Sequence, residues 1–364
     1  MTMPLETPLL DLHRAAGAEI GEFFGTLLPA RFGDFNSEYS AARNTVALLD
    51  TNFRALFSFA GPDAQRYLNA ILTSNVRDLK AGAGTVGLLL TPQGHILAEV
   101  ETFLSGGGIL ASSHAMVRER TFSTFDKFII MDDVTLTDVT LARSTLDLIG
   151  PLAADVISEL VGVDVAVMPD LSHFEATVNS ILCRIVRKAW LDQPAAMIVA
   201  PREHLPMLWS ELASRVRAHG GATVGMEAVN SIRLESGTPW FGHDYDDKNI
   251  PHEAGLEHSH ISYEKGCYTG QEIVERVRSR GHANRRLTEL QFLEAEAPAP
   301  GTILLYDGKE VGGVTSATRS PILGRPIGLG YVRREHADVG TRLDASGAPA
   351  EVILPPLLAK HSSA

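Results

Sequence analysis

The chain has 364 residues, enough for two or three domains that each bury a core. Its 45% hydrophobic and 21% charged residues are typical of a globular protein, and a formal net charge of −12 argues against binding to the phosphates of a nucleic acid. Its two cysteines, Cys183 and Cys267, exclude a disulfide framework and a four-thiolate metal site.

The N-terminus lacks the basic and apolar stretches of a signal peptide, and its early acidic residues argue against a transit peptide. No run approaches 18 uninterrupted apolar residues, so we expect no membrane span. We therefore expect a protein of the cytoplasm, and we expect it to be a monomer.

The first predicted element is an amphipathic helix over residues 7–31, because Leu9, Leu12 and Ala16 approximate one face. Two stretches then repeat the order strand, helix, strands, helix, strand, with Gly61-Pro62 and Gly150-Pro151 at the start of their first helices. Proline suits this place because its missing N–H has no partner in the first helical turn. We infer two intertwined α+β units of a split-βαβ kind, related by duplication.

The repeated units define the predicted strands and helices of the middle of the chain. In the first unit, strands are predicted near residues 55–59, 87–90, 96–103, 108–111 and 134–139, with helices ending at residue 71 and spanning 116–128. In the second unit, strands are predicted near residues 145–149, 174–178, 182–188, 196–199 and 223–224, with helices ending at residue 161 and spanning 202–217.

After a helix predicted over residues 226–235, a polar loop leads to a second helix, and glycine- and proline-punctuated segments from Leu287 predict a small antiparallel β-barrel. The tail after Pro356 is expected to fray. The predicted fold class is therefore α+β. The predicted segments are 1–54, helical or extended and packed on the second unit; 55–142, the first unit; 143–225, the second unit; 226–284, connecting helices packed on the first unit; and 285–358, the barrel.

The most informative stretch is residues 265–286, Lys-Gly-Cys-Tyr-Thr-Gly-Gln-Glu-Ile-Val-Glu-Arg-Val-Arg-Ser-Arg-Gly-His-Ala-Asn-Arg-Arg. Thr269 and Glu272 form a capping-box pattern, which predicts a helix beginning at Gly270. This structural explanation does not account for Cys267. The helix dipole and a neighbouring ammonium group would favour its thiolate form, and the alternative is an inert cysteine in a capped turn.

Other charged clusters are less specific. Four histidines between residues 243 and 260 match no zinc-ligand spacing, so we predict no metal site and expect hydrogen-bonded loop histidines. The arginines of residues 276–286 form either a solvated helix end or a local positive surface for an anionic small molecule or an acidic partner. Cys183 lies in an apolar run and is predicted to be a core residue.

Residues 265–272, Lys-Gly-Cys-Tyr-x-Gly-Gln-Glu, resemble the signature of the YgfZ family, folate-binding relatives of the glycine cleavage T-protein. The resemblance extends from Leu12 to about Gly340 and includes residues 230–235 and 312–316. It implies domains arranged around a central opening that binds tetrahydrofolate. Such a ligand requires an apolar slot with a few polar groups for its flat pterin, and cations for its glutamate tail.

The resemblance also implies the site residues. We expect Cys267 to be the reactive thiol, with Lys265 beside it and Glu99 as a further catalytic candidate. Arg233 lies on the segment that resembles the T-protein helix with a folate-binding arginine. The residues expected to contact the folate are Asn75, Arg233, Lys265, Tyr268, Gln271 and Arg276.

Three positions depart from the T-protein pattern. Where T-proteins carry paired aspartates, Ala98-Glu99 keeps one carboxylate. Val86 stands where a tyrosine is expected, and Ala196 where a pterin-facing glutamate is expected. Because aminomethyl transfer relies on positioned carboxylates, these departures favour the YgfZ branch, whose family role is the folate-linked maintenance of iron–sulfur enzymes.

We therefore predict a tetrahydrofolate-binding accessory protein that supports the assembly or repair of iron–sulfur proteins, and we leave open whether it catalyses a reaction. The alternative is a folate-dependent aminomethyltransferase or one-carbon transferase that uses Glu99. A third hypothesis is a structural or interaction protein that has lost the ligand. The expected partners are the folate and iron–sulfur proteins, with neither nucleic acid nor membrane.

Overall fold

The structure is a computed structural model that describes residues 3–294 and 296–355, without the side chain of Arg280. The predicted frayed tail and the end of the predicted barrel segment, residues 356–358, lie outside the described residues. The described chain forms two compact units, which are not the two predicted repeat units; from here on, the first and second unit are the following parts of the chain. The first contains the residues up to 87, residues 99–229 and residues 264–266, and the second contains residues 88–98, residues 230–263 and the residues from 267 onward.

The prediction of one helix over residues 7–31 is wrong. Gly17, Phe24 and Gly25 adopt positive φ angles of 80°, 52° and 75°, which interrupt a right-handed helix and turn the chain into a hairpin. A three-stranded sheet forms instead, in the order β1-β3-β2. The elements are β1 (Leu5–Glu6), α1 (Leu10–Ala15), β2 (Glu19–Phe23), β3 (Thr26–Arg31) and α2 (Phe35–Asn44).

The strands and helices predicted for the first repeat are confirmed, with ends that shift by a few residues. They form a five-stranded sheet, the first sheet, in the order β6-β7-β8-β5-β9. Phe125 of helix α4 packs edge-on against Phe57 and Phe59 of β5 and so covers one face. Strand β4 (Ala47–Asp50) precedes this repeat and belongs to the second sheet, described next. The elements of the first repeat are β5 (Arg54–Ala60), α3 (Ala64–Ile71), β6 (Gly84–Leu90), β7 (Ile96–Ser105), β8 (Gly108–His114), α4 (Arg118–Phe128) and β9 (Thr135–Asp138).

The elements predicted for the second repeat are confirmed in the same way. They form the second sheet, in the order β11-β12-β13-β10-β4-β14, in which β4 from the N-terminal segment pairs with β10. The elements are β10 (Arg143–Ile149), α5 (Ala153–Val161), β11 (His173–Val178), β12 (Ile181–Trp190), β13 (Gln193–Pro201), α6 (Leu205–Ala218) and β14 (Ala222–Thr223).

The second sheet buries both of its faces. On one face, Leu146 and Ile198 pack with Val156 of α5 and Leu212 of α6 in a large apolar cluster. On the other face, Val186, Met197 and Val199 pack against Leu56 and Phe103 of the first sheet. This alternation of inward positions fixes the register of the strands, because a shift of one residue would expose the whole apolar set.

The second unit contains the predicted antiparallel barrel, which is closed in the order β15-β18-β17-β16-β19-β20 and is filled by residues such as Leu290, Phe292 and Val332. The α+β class with a C-terminal barrel is thus confirmed. The remaining elements are α7 (Met226–Glu235), α8 (Gln271–Arg280), β15 (Arg285–Phe292), β16 (Ile303–Tyr306), β17 (Lys309–Ser320), β18 (Arg325–Arg333), β19 (Arg342–Ala345) and β20 (Ala348–Ile353). Among the described residues, no helix is long and apolar enough to span a membrane.

Candidate functional site

Strand β7 carries two carboxylates on one face, because residues two apart in a strand point the same way. Glu99 is half-buried, and Glu101 is 14% exposed at its side chain. Glu101 accepts a short hydrogen bond from the Lys188 ammonium and lies 3.9 Å from Arg54 Nη1. Burial would raise the pKa of Glu101, but Lys188 and Arg54 outweigh that effect and lower it. Glu101 is therefore held in its ionised form.

Arg54 extends this group of charges across the two sheets of the first unit. Its Nη2 donates to Asp147 Oδ2 at 2.9 Å, and Asp147 is fully buried. Burial opposes the charge of Arg54, but the carboxylates of Asp147, Glu101 and Glu99 together raise its pKa above the ordinary value. The half-buried ring of Trp190 lies 6.0 Å from the Arg54 guanidinium and 6.0 Å from the Lys188 ammonium. The result is a paired cluster of charges with an aromatic ring at its side.

The charged cluster of Arg54, Glu101, Asp147 and Lys188 was not found from the sequence. Only Glu99 was proposed, through the resemblance. One signal could have led to Glu101, since it lies two residues after Glu99 in a strand whose intervening residue, Val100, is apolar. No comparable signal identifies the other three, because they come from strands that are distant in sequence.

Lys265, the first residue of the signature, is buried in the first unit. Its Nζ donates to the carbonyl oxygens of Asn69, Leu72 and Ser74 at 2.5, 2.5 and 2.8 Å. Burial, aided by the charge of Arg77, lowers the pKa of Lys265 to about 7. The three carbonyls can all receive a hydrogen bond only from the ammonium form. Lys265 thus anchors the signature to the chain after α3, which explains its presence without a ligand.

The thiol of Cys267 is exposed, whereas Cys183 is buried. Helix α8 begins four residues later, at Gln271, and its N-cap is Gly270 with φ at +83° and no side-chain cap hydrogen bond. The predicted capping box of Thr269 and Glu272 is therefore wrong. The N–H of Tyr268 instead donates to Gln271 Oε1 at 3.3 Å, which orders the turn.

The two glycine-bearing turns of the predicted site meet within the second unit. A Cβ atom at Gly270 would lie 2.6 Å from the carbonyl oxygen of Thr91, and one at Gly94 would lie 2.9 Å from Cβ of Ile273. Both glycines also adopt positive φ. Larger residues would force the turn at residues 91–94 away from helix α8, so close approach and backbone conformation both account for these two glycines.

Arg233, predicted to bind the folate, is 1% exposed. Its guanidinium donates to Asp244 Oδ2 at 2.5 Å, Asn230 Oδ1 at 2.8 Å and the Thr238 carbonyl at 3.2 Å, and it stacks 4.4 Å from the ring of Trp240. Burial is the main influence on this side chain, and it lowers the pKa of Arg233 despite the nearby Asp244 carboxylate. This geometry favours a role in holding the fold of the second unit over direct contact with a ligand.

The other predicted folate contacts lie in separate surroundings. Asn75 exchanges hydrogen bonds with Asp78 at 2.7 and 3.2 Å. Tyr268 is 7% exposed, and burial raises the pKa of its phenol. Arg276 is 61% exposed and pairs with Glu272 at 2.8 Å on helix α8. None of these contacts requires a ligand, and the proposed binding roles stay predictions.

Two arginines of residues 276–286 make contacts within the second unit. Arg278 lies over the ring of Tyr263 at 4.1 Å, and Arg285 makes two hydrogen bonds to Glu253 at 3.1 and 3.2 Å. Across residues 3–294 and 296–355, no three or more His, Cys, Asp and Glu side chains are grouped so that they could hold a metal ion.

The combination of two facing sheets and a closed barrel is shared with a protein of known structure, the glycine cleavage system aminomethyltransferase T of Bartonella henselae. That chain superimposes with a TM-score of 0.87 at 24% identity, and the match covers 98% of both chains. This likeness shows that the two proteins share their fold.

Two family models match the chain over most of its length. The model of the GCVT N-terminal domain matches residues 9–262, and the model of the glycine cleavage T-protein C-terminal barrel domain matches residues 285–358. This chain belongs to the glycine cleavage T-protein family. It is 29% identical to an aminomethyltransferase of Rubrobacter xylanophilus, over 90% of this chain and 87% of the relative. It is 27% identical to an aminomethyltransferase of Desulforamulus reducens, over 93% and 92%.

Proposed function

We propose that this protein binds tetrahydrofolate and takes part in the transfer of a one-carbon group to or from it. The observation that carries the proposal is the match to the T-protein family over both the N-terminal domain and the barrel. Curated relatives named aminomethyltransferase, aligned along nearly their whole length, support it further.

The donor set of the first unit suits such a ligand. A pterin offers a flat ring with amide-type hydrogen-bond donors, for which a carboxylate and an aromatic ring are complementary partners. Glu99 supplies a half-buried carboxylate, and Trp190 supplies a half-buried ring. The cations Arg54 and Lys188 lie beside the ring of Trp190, where they are paired with Asp147 and Glu101.

Glu99 is the residue that we propose to exchange a proton with the reacting amine. Its neighbour on the same strand face, Glu101, is fixed by Lys188 and Arg54, so the backbone that carries Glu99 is held in place. A positioned carboxylate contributes general acid–base catalysis of about 10²–10⁴-fold.

The test is the formation of methylenetetrahydrofolate from tetrahydrofolate and an aminomethyl donor carried on a lipoyl group. We expect turnover by the wild type and a loss of about 10²-fold or more in kcat for Glu99→Gln, with KM for folate changed less. Glu159→Gln is the matched control, because it removes a surface carboxylate that pairs only with His219 among the described residues. No turnover by the wild type, together with tight folate binding, would reject the transferase and leave folate binding intact.

A second function is favoured by residues 265–272. The signature resembles that of the YgfZ family, and its Cys267 is exposed, whereas its Lys265 is buried and bonded to carbonyl groups. We propose for this case a folate-binding accessory role toward iron–sulfur proteins in the cytoplasm. A single exposed thiol cannot hold a cluster by itself, so the iron–sulfur proteins would be partners.

Complementation separates the two functions. In cells that lack the native protein, Cys267→Ser should fold and bind folate but fail to restore the activity of iron–sulfur enzymes if the accessory role holds. Cys183→Ser provides the matched control, since this thiol is 1% exposed within the core. Full complementation by Cys267→Ser, combined with turnover in the transferase assay, would leave the transferase as the remaining function.

A further inference from the structure

A polar cavity of about 260 Å³ lies at the edge of the first unit, where its two sheets face each other. Strands β5 and β8 line it from the first sheet, and strands β11 and β12 line it from the second. It shares no residue with the Arg54–Lys188 cluster or the signature. Its polar side chains are Ser58, Ser105, Arg143, Glu175 and Arg184.

Arg184 brings unused hydrogen-bond donors to this cavity. Its side chain is 14% exposed, and its Nη2 makes only long contacts, 3.4 Å to Ser105 Oγ and 3.5 Å to Glu175 Oε1. Its Nη1 is buried and finds no hydrogen-bond acceptor among the described residues. Because buried donors are normally paired, an acceptor is expected in the adjoining space.

The charges around the cavity are unbalanced toward positive. Burial lowers the pKa of Arg184; Glu175 opposes this effect, and the neighbouring guanidinium of Arg143 adds to it. Arg143 is exposed and forms no ion pair with any residue that the structure describes. Among the described residues that line the cavity, Glu175 is the one with a carboxylate, and its side chain is 57% exposed, so water weakens its attraction.

The remaining lining consists of two serine hydroxyls, glycines and mainly apolar side chains, so the charged contacts of a ligand would come from the arginines. The hydroxyl of Ser105 donates to the carbonyl oxygen of Gly108 at 3.1 Å, and Ser58 of strand β5 adds a second hydroxyl to the lining of the cavity. At Gly107, an added Cβ atom would meet nothing within 4 Å among the described residues, so a side chain at this position of the hairpin between β7 and β8 would have room.

We propose that this cavity binds a phosphate group, either as inorganic phosphate or as part of a small phosphorylated metabolite. Guanidinium groups donate pairs of hydrogen bonds that match phosphate oxygens, and here Arg143 and Arg184 line the same cavity. Its volume is several times the share of about 30 Å³ that one water molecule takes in the liquid, so the group fits with part of a small molecule attached.

The test is calorimetric titration of the full chain with inorganic phosphate and, separately, with glycerol 3-phosphate at low ionic strength. Arg143→Gln changes an exposed side chain and should preserve the fold, while Arg184→Gln removes the buried donor. Arg187→Gln is the matched control, because Arg187 lies on strand β12 like Arg184 but does not line the cavity. Its guanidinium pairs with Asp170 at 3.1 Å. Circular dichroism checks that each variant is folded.

We expect saturable binding with one site per chain, weakened by about tenfold or more in Arg143→Gln and in Arg184→Gln and changed by less than about twofold in Arg187→Gln. Tighter binding of glycerol 3-phosphate would identify a metabolite as the source of the group, and tighter binding of inorganic phosphate would identify the free ion. The proposal is overturned if neither compound saturates the wild type, or if Arg187→Gln weakens binding as much as Arg143→Gln.

Discussion

Replacing Arg233 by alanine tests whether this buried arginine holds the fold or binds a ligand. The guanidinium is 1% exposed and pairs with Asp244, which is fully buried. Removing one partner of a buried pair leaves an uncompensated charge and typically costs about 3–5 kcal/mol. Asp244 would keep hydrogen bonds from Thr315 Oγ1 at 2.6 Å and the Trp240 N–H at 2.9 Å, so we expect a loss near the lower end of that range.

The assay is urea unfolding followed by circular dichroism, with folate affinity measured on the same preparations. Arg14→Ala is the control for loss of an arginine, because Arg14 lies 3.8 Å from Asp11 with both side chains exposed, and the free energy of unfolding should hardly change. Changing Asp244 to asparagine in the Arg233→Ala background should recover part of the loss, since the stranded charge is removed. A loss below about 1 kcal/mol accompanied by greatly weakened folate binding would refute this reasoning and restore Arg233 as a ligand contact.

Three further predictions concern buried and exposed reactive groups. Glu289 is buried, neither of its carboxylate oxygens has a hydrogen-bond partner among the described residues, and burial raises its pKa well above the ordinary value. The stability that it contributes is therefore present at acidic pH and is lost as the pH rises through its pKa in the folded protein, so Glu289→Gln should be more stable than the wild type near pH 8 and no more stable near pH 4. Lys265→Met should lower the free energy of unfolding by about 1–3 kcal/mol, because three buried carbonyls lose their donor. Cys267 should be alkylated by iodoacetamide at least about tenfold faster than Cys183, because Cys183 is 1% exposed and burial raises its thiol pKa to about 11.

Each of these predictions has a result that would contradict it. For Glu289→Gln, thermal unfolding that shows the same difference from wild type at both pH values would mean that this carboxyl does not titrate between them. For Lys265→Met, unchanged stability together with a loss of folate binding would mean that the Lys265 ammonium contacts the folate. For the thiols, equal alkylation rates in the folded protein, measured by peptide mass spectrometry, would mean that Cys267 is not accessible to reagent.

Most of the secondary structure followed from local sequence signals. The α+β repeats and the barrel were predicted because strand alternation and Gly-Pro helix starts are local features. The N-terminal helix was wrong because apolar spacing alone could not show that Phe24 and Gly25 adopt left-handed backbone angles in a hairpin. The capping box failed similarly, because Gly270 takes the N-cap position with a positive φ.

The candidate site was harder to predict than the fold. The resemblance led to Glu99 and Cys267, but it could not show that Lys265 and Arg233 are buried and already bonded within the fold. The partners that satisfy them are carbonyl groups near residue 70 and the carboxylate of Asp244, and no sequence spacing marks those pairings. Pairs of residues that are distant in sequence depend on how the strands and loops pack, so they can be identified only from the structure.

The family match leads us to expect that this chain binds a folate, and calorimetric titration with tetrahydrofolate measures that binding. Tryptophan fluorescence can follow the same titration, with Trp190 beside the charged cluster as one reporter. We predict saturable binding at one site per chain, with affinity that is weakened by Glu99→Gln and unchanged by Glu159→Gln. The absence of a saturable signal in both calorimetry and fluorescence would contradict the claim and would leave a structural or interaction protein that has kept the T-protein fold without its ligand.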